Sequence, residues 1–82
     1  MTRYKNLAGD SGVIAYAIGN NSIKVQFRDG WVYTYTSQRT GRNNIEQMKT
    51  LADAGRGLSS FISRVVKNRY ASKSKMKRPK AG

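Results

Sequence analysis

A period-two alternation of apolar residues runs through residues 13–36 and is interrupted twice by turn-forming residues. The alternating positions of the first two segments are Ile14, Tyr16, Ile18, Ile23, Val25 and Phe27. The third segment, WVYTYT at residues 31–36, is dense in β-branched and aromatic residues, which favour strands. Gly19-Asn20-Asn21-Ser22 and Asp29-Gly30 separate the segments, and both are typical of turns between antiparallel strands. The pattern predicts a three-stranded antiparallel meander.

Two helices are predicted after the meander and a polar connection at residues 37–43. Asn43 or Asn44 can cap the first helix, and Gly55 can end it. Apolar residues repeat at helical spacing through both segments, at Ile45, Met48, Leu51, Ala52, Leu58, Phe61, Ile62, Val65, Val66 and Tyr70. We therefore expect a single α+β domain over residues 11–70, in which both helices pack on one sheet face and leave the other to solvent.

Positive charge dominates the chain, with 16 Lys and Arg residues against 4 Asp and Glu residues and a net charge of +12. Residues 67–82 contain no acidic residue and seven basic ones, which are Lys67, Arg69, Lys73, Lys75, Lys77, Arg78 and Lys80. Residues 71–82 are too polar to join a core, and we expect them to form a disordered basic tail. Clustered lysines and arginines bind phosphate backbones by counterion release, so the charge predicts a polyanionic partner.

The chain contains no cysteine and no histidine, which excludes disulfides, thiolate chemistry and the commonest general base and metal ligand. Its four carboxylates offer no convincing metal site or catalytic pair, so we expect a protein that is not an enzyme and uses no cofactor. No apolar run approaches the roughly 20 residues of a membrane span, and the N-terminal residues lack the apolar stretch of a signal peptide. We expect a cytoplasmic protein.

The order of motifs along residues 11–70 resembles the KTSC domain, a short module found as a stand-alone bacterial protein and at the C-terminus of some lysyl-tRNA synthetases. The shared features are an apolar-x-apolar-x-Phe strand, a glycine turn, a Tyr-x-Tyr pair, a glycine-containing segment before the last helix and a tyrosine at its end. In this chain they are Ile23, Val25, Phe27, Gly30, Tyr33, Tyr35, Ala54-Gly55-Arg56-Gly57 and Tyr70. Arg39-Thr40-Gly41-Arg42 stands where members often have Val-Pro. The family has no established activity, and its association with a synthetase implies RNA binding.

The connection between the second and third strands decides which sheet face carries the aromatic residues of the third strand, Trp31, Tyr33 and Tyr35. A two-residue loop at Asp29-Gly30 places them among Lys24, Gln26 and Arg28 on an exposed face, as a stacking platform for single-stranded nucleic acid. A three-residue loop that includes Arg28 places the rings under the helices. We favour the second register because it is the cleaner amphipathic pattern and a small core needs the aromatic area.

The sequence therefore predicts a non-enzymatic nucleic-acid-binding module, with RNA favoured over DNA, that acts through its basic surface and tail with aromatic stacking. The alternatives are a protein-interaction adaptor that docks an acidic partner and a small accessory protein with a structural role. Gly55-Arg56-Gly57 is more simply a helix cap and turn than a phosphate site, and Arg56 is kept as a secondary contact. Beyond the seven basic residues above, the candidate contacts are Lys24, Arg28, Trp31, Tyr33, Tyr35, Arg56 and Arg64.

Overall fold

The computed structural model describes residues 1–7, 9 and 11–75, and these form one five-stranded antiparallel sheet with a helical layer. The strands lie side by side in chain order. They are β1 (Thr2–Arg3), β2 (Val13–Ile18), β3 (Ser22–Phe27), β4 (Trp31–Thr36) and β5 (Ser72–Lys75). The predicted α+β class is confirmed. The three predicted strands form the centre of the sheet, but the sheet has five strands rather than three, and the two edge strands lie outside the bounds expected for the domain.

The strand β5 corrects the expectation that the chain is disordered from residue 71 onward. Its four residues pair with β4, and the Ala71 amide donates to the Thr34 carbonyl oxygen at 2.7 Å where the chain enters the ladder. The segment SKSK carries no apolar residue, so its strand conformation depends on the edge of β4 that it covers. Residues 76–82, and with them the predicted contacts Lys77, Arg78 and Lys80, lie outside the described residues.

Between β4 and β5 the chain forms a helical layer on one face of the sheet. Its elements are α1 (Ser37–Thr40), α2 (Arg42–Ala54), α3 (Leu58–Phe61) and a π-helical segment that continues α3 (Ile62–Val66). The helix α2 and the segment 58–66 lie where the two helices were predicted, but the second is partly π-helical and ends at Val66, before Tyr70. The helix α1 lies in the stretch expected to be a connection. The wider π turn changes which side chains face the sheet. Ile62 and Val66 are buried, but Val65, predicted for the apolar stripe, is 44% exposed.

Only one end of α2 agrees with the prediction from the sequence. The helix begins at Arg42 with Gly41 in the N-cap position, so the expectation that Asn43 or Asn44 caps it is wrong. Gly55 ends the helix as predicted, in a left-handed conformation with φ 76°, and its amide donates to two carbonyl oxygens of the last turn. Glycine is favoured there because it adopts positive φ without a steric cost.

The core lies between the helical layer and the sheet. Its buried members are Tyr4, Val13, Tyr16, Ile23, Val25, Tyr35, Ile45, Met48, Ala52, Leu58, Ile62 and Val66. The predicted alternation in β2 is wrong at its start, since Val13 is buried and Ile14 is 39% exposed. A β-bulge explains this, because Val13 and Ala15 pair with consecutive residues of β3 and the extra residue shifts the phase. Ile18, at the end of β2, is also exposed.

The register of β3 and β4 places the tyrosines of β4 on the helical side of the sheet. Tyr33 and Tyr35 pair with two core residues of β3, which leaves Arg28-Asp29-Gly30 as a three-residue connection. Tyr35 is 1% exposed, and Tyr33 packs against the core. The favoured register is therefore confirmed. The exposed platform that combined these rings with Lys24 is wrong, because Lys24 pairs with Thr34 on the opposite face.

Candidate nucleic-acid interface

A cleft of about 420 Å³ opens between the sheet and the end of the π-helical segment, and we call it the aromatic cleft. Its volume lies within the range of about 300–1,000 Å³ that is typical of small-ligand pockets. The sheet and the β3–β4 connection contribute Phe27, Asp29, Tyr33 and Tyr35, and the chain from the π-helical segment onward contributes Ile62, Ser63, Lys67, Asn68 and Tyr70. Aromatic and polar groups thus share its lining.

Tyr33 is the central ring of the aromatic cleft. The Phe27 ring lies 5.3 Å from it between centroids at an interplanar angle of 89°, and the Tyr70 ring lies 4.9 Å away at 75°. Both pairs have edge-to-face geometry, which contributes about 0.5–1.5 kcal/mol per pair beyond the area buried. Tyr35, stacked 6.4 Å from Tyr33, is buried. These contacts hold the rings in place without a ligand.

Strand β5 brings two lysines to the same face of the sheet as these rings. Lys73 lies opposite Tyr33 in the ladder, and Lys75 lies opposite Trp31. The Lys73 Nζ is 5.2 Å from the centroid of the Trp31 ring and 5.7 Å from that of Tyr70. The Lys75 Nζ is 6.0 Å from the Trp31 ring. Such cation–π contacts contribute about 0.5–1 kcal/mol each at exposed sites. They hold both ammonium groups over Trp31, and Lys73 also lies beside Tyr70 of the aromatic cleft.

Lys67 follows the π-helical segment in an unusual backbone conformation. Its φ is 46° and its ψ is −116°, and its amide donates to the Ile62 carbonyl oxygen. A backbone of this kind costs on the order of 1–3 kcal/mol at a residue other than glycine. Both π-helical turns and strained residues concentrate at functional sites, and here both border the aromatic cleft. No sequence pattern indicated this turn, because lysine has no preference for positive φ.

A buried hydroxyl group fixes the segment that leads from the helical layer to β5. Thr40 is 2% exposed, and its Oγ1 donates to the Arg69 carbonyl oxygen at 2.7 Å. It is the one polar residue of the described chain that is fully buried. Sequence reasoning missed it because Thr40 lies in the stretch assigned to a polar connection. A buried donor with one specific acceptor makes this contact costly to lose.

Two predicted basic contacts lie away from the aromatic cleft. Lys24 is on the opposite face of the sheet from the lysines of β5. Arg28 belongs to the β3–β4 connection, but its guanidinium Nη2 donates to the Ser11 carbonyl oxygen at 3.2 Å and so points toward the start of β2. Neither side chain shares the surface that Lys73 and Lys75 form.

The segment Gly55-Arg56-Gly57 is the turn between α2 and α3. Gly57 has φ 80°, and the Gly55 carbonyl accepts from the Leu7 amide, near the β1 edge of the sheet. Because β1 and β5 are opposite edges, Arg56 lies far around the molecule from the β5 lysines. The simpler interpretation as a cap and turn is confirmed. Of the predicted contacts, Tyr33, Tyr35 and Lys67 line the aromatic cleft, and Lys73 lies beside its Tyr70 ring. Trp31 and Lys75 adjoin Lys73 on the same sheet face, and Arg64 and Arg69 are exposed on the adjoining segment.

Two tyrosine hydroxyls have a pKa above the ordinary value. Burial raises the pKa of Tyr35, and the neighbouring Tyr33 and Tyr70 raise it further. Burial also raises the pKa of Tyr16, whose hydroxyl donates to Asp53 Oδ1 at 3.0 Å. A phenol with its ordinary pKa of about 10 is already protonated at neutral pH, so the raised pKa values matter only in alkaline solution, and Tyr35 contributes an uncharged wall to the aromatic cleft.

Residues 1–7, 9 and 11–75 offer neither a metal-binding cluster nor a membrane-spanning helix. In this part of the chain no three His, Cys, Asp or Glu side chains meet as a metal-binding group. Its helices all fall short of the length and apolar character needed to cross a membrane. Comparison with protein-family models, curated proteins and solved structures finds no match for the chain. The KTSC resemblance therefore remains an expectation from the sequence.

Proposed function

We propose that this protein is a non-enzymatic module that binds single-stranded nucleic acid, with RNA favoured over DNA. The observation that carries the proposal is the β4–β5 ladder, which sets Lys73 and Lys75 against Trp31 beside the aromatic cleft. Single strands are bound by positive charge that follows the backbone together with aromatic side chains that stack on bases. The net charge of +12 supports a polyanionic partner, and the KTSC resemblance supports RNA.

The surroundings of the aromatic cleft favour a single strand over other polyanions. Lys67 lines it and Lys73 stands beside it, whereas Asp29 is the one acidic side chain among its lining residues. The bases of a duplex are stacked on one another, so their faces cannot stack on the rings of a concave aromatic site. An acidic protein partner would use the same lysines but would leave the aromatic lining without a role.

The test compares two double variants that each remove two positive charges. Lys73→Gln/Lys75→Gln removes the β5 lysines, and Lys5→Gln/Lys24→Gln removes exposed lysines at the β1 edge and on the opposite sheet face. We expect the first pair to weaken binding of a single-stranded RNA about tenfold at physiological salt, because two phosphate contacts are lost. The control pair should change the affinity much less. Fluorescence anisotropy with a labelled oligonucleotide measures both.

The salt dependence provides a second readout of the same surface. If about six phosphates are neutralised, log affinity should fall against log salt with a slope near −4 for a single strand. The β5 variant should have a shallower slope than the control variant. Equal losses in both variants would mean that net charge alone drives binding, and absence of binding at low salt would refute the proposed function.

A further inference from the structure

The aromatic cleft contains hydrogen-bonding groups as well as rings, which suggests recognition of more than charge. We propose that it holds one unstacked nucleobase that carries an exocyclic amino group, which means adenine, cytosine or guanine in preference to uracil or thymine. This inference rests on the nucleic-acid binding proposed above. It names the part of the strand that enters the aromatic cleft.

The division of the lining into apolar and polar parts matches a nucleobase. Tyr33 and Tyr70 supply π surface, and Ser63 and Asn68 supply a hydroxyl and an amide. A base needs both, because it has flat faces that stack and an edge that forms hydrogen bonds. A phosphate group would gain nothing from the rings, and an aliphatic ligand would leave the polar groups unpaired.

Asp29 accounts for the preference among bases. Its Oδ1 accepts from the Trp31 amide at 3.1 Å, which fixes the carboxylate at the edge of the aromatic cleft. An ionised carboxylate only accepts hydrogen bonds and offers about four lone-pair sites, so it can accept further donors. Adenine, cytosine and guanine each carry an exocyclic amino group that can donate to the carboxylate. Uracil and thymine carry no amino group, and their single ring N3–H lies between two carbonyl oxygens that the carboxylate repels.

The flanking phosphates have basic partners on both sides of the aromatic cleft. Lys67 lies on the helical side, and Lys73 lies on the β5 side with its Nζ 5.7 Å from the Tyr70 ring. The strained backbone of Lys67 ends the π-helical segment, and Asn68 and Tyr70, which follow it, line the aromatic cleft. The strained conformation of Lys67 would then pre-organise the groups that contact the base.

The experiment uses the full chain and short oligonucleotides whose residues are all tetrahydrofuran abasic residues except one. The central position carries adenine, cytosine, guanine, uracil or no base, so all probes have the same phosphates. We expect an amino-bearing base to raise the affinity about fivefold to a hundredfold over the fully abasic probe, which is the range of one base–aromatic stack. Uracil should raise it less.

Two variants assign the effect to the aromatic cleft. In Asp29→Asn the side-chain oxygen can still accept from the Trp31 amide, but the second acceptor becomes a donor. We expect this variant to reverse the ratio of amino-bearing base to uracil, whatever its overall affinity. Tyr70→Leu should abolish the difference between based and abasic probes while it retains affinity for the abasic probe. Circular dichroism checks that both variants fold.

The outcomes separate this inference from the proposed function. Equal binding of all probes, including the abasic one, overturns the base-binding cleft and leaves electrostatic nucleic-acid binding in place. Base-dependent binding that neither Asp29→Asn nor Tyr70→Leu alters also overturns it, because the base then binds elsewhere. Failure of every probe and of longer single strands at low salt overturns both proposals.

Discussion

The backbone of Lys67 matters as much as its charge. Its φ of 46° is unfavourable for any residue with a Cβ atom, yet it orients the following residues toward the aromatic cleft. A substitution that removes the ammonium group changes the charge alone if it keeps the Cβ atom. Substitution by glycine also relieves the backbone strain at this position.

We expect Lys67→Gly to be more stable than Lys67→Ala by up to about 1 kcal/mol. Glycine adopts positive φ without a steric cost, although its greater freedom in the unfolded chain offsets part of the gain. Both variants lose the same charge, so their difference reports the backbone alone. Urea unfolding measures it. An alanine variant more stable than the glycine variant by about 0.5–1 kcal/mol would show that the turn is not strained, because only the freedom of glycine in the unfolded chain would then separate the two.

The buried hydroxyl of Thr40 should contribute more to the free energy of unfolding than an exposed hydroxyl does. We expect Thr40→Val to lower the free energy of unfolding by about 1–3 kcal/mol, because the Arg69 carbonyl loses its donor. Thr50→Val is the matched control, since Thr50 is exposed and its Oγ1 donates within α2 to the Glu46 carbonyl. The control should stay within about 0.5 kcal/mol of the parent. Similar losses of stability in both variants would argue against a special contribution from the Thr40–Arg69 hydrogen bond.

At the scale of elements, β5 does two things at once. It covers the edge of β4, which otherwise presents unpaired backbone groups to solvent. It also places Lys73 and Lys75 against the aromatic residues of β4. Loss of β5 should therefore affect stability and binding together, in contrast to loss of a disordered tail.

Two truncations separate these roles. A chain ending at Tyr70 lacks β5, and a chain ending at Lys75 keeps it. We expect the shorter chain to be less stable by about 2–4 kcal/mol, because several ladder hydrogen bonds of about 0.5–1.5 kcal/mol each are lost with the cation–π contacts. It should also self-associate through the uncovered edge. Urea unfolding and size-exclusion chromatography test this, and equal stability of the two chains would contradict the described ladder.

At the scale of the whole molecule, the raised pKa values of Tyr16 and Tyr35 predict how stability depends on pH. A tyrosine in the unfolded chain loses its proton near pH 10, whereas burial keeps it protonated in the folded protein. The stabilising contribution is complete below about pH 10 and is lost as the pH rises above it, because the unfolded state then binds fewer protons.

Unfolding free energies from about pH 8 to about pH 11 should therefore fall at the alkaline end. Tyr35→Phe keeps the buried ring and removes the titrating group, so its decline should be shallower than that of the parent. Lysine titration is common to both proteins and cancels in the comparison. The same pH dependence in both would exclude Tyr35 as the cause.

The alternation of residues 23–27 and 31–36 was enough to predict two central strands, because direct neighbours in a hairpin depend on local pattern and turn length. It left two registers open for Tyr35, and the burial of that ring was favoured only because a small core needs the aromatic area. The cap at Gly55 was likewise readable from one residue type. The bulge at Ile14 could not be predicted from the sequence, because an apolar residue at this position fits either phase of the strand. The aromatic cleft escaped prediction because its lining comes from segments distant in the sequence.

By itself, the sequence determined an α+β domain with a central meander, two helices and a large positive charge, because periodicity, turn residues and composition act over short stretches of chain. Only the tertiary structure decided that SKSK becomes an edge strand, that Lys67 adopts a strained turn, and that Lys73 stands over Trp31. Each of these depends on a partner far along the chain. A polar segment can pair as a strand when an uncovered sheet edge is available to it, and the residues of the segment do not themselves indicate that such an edge exists.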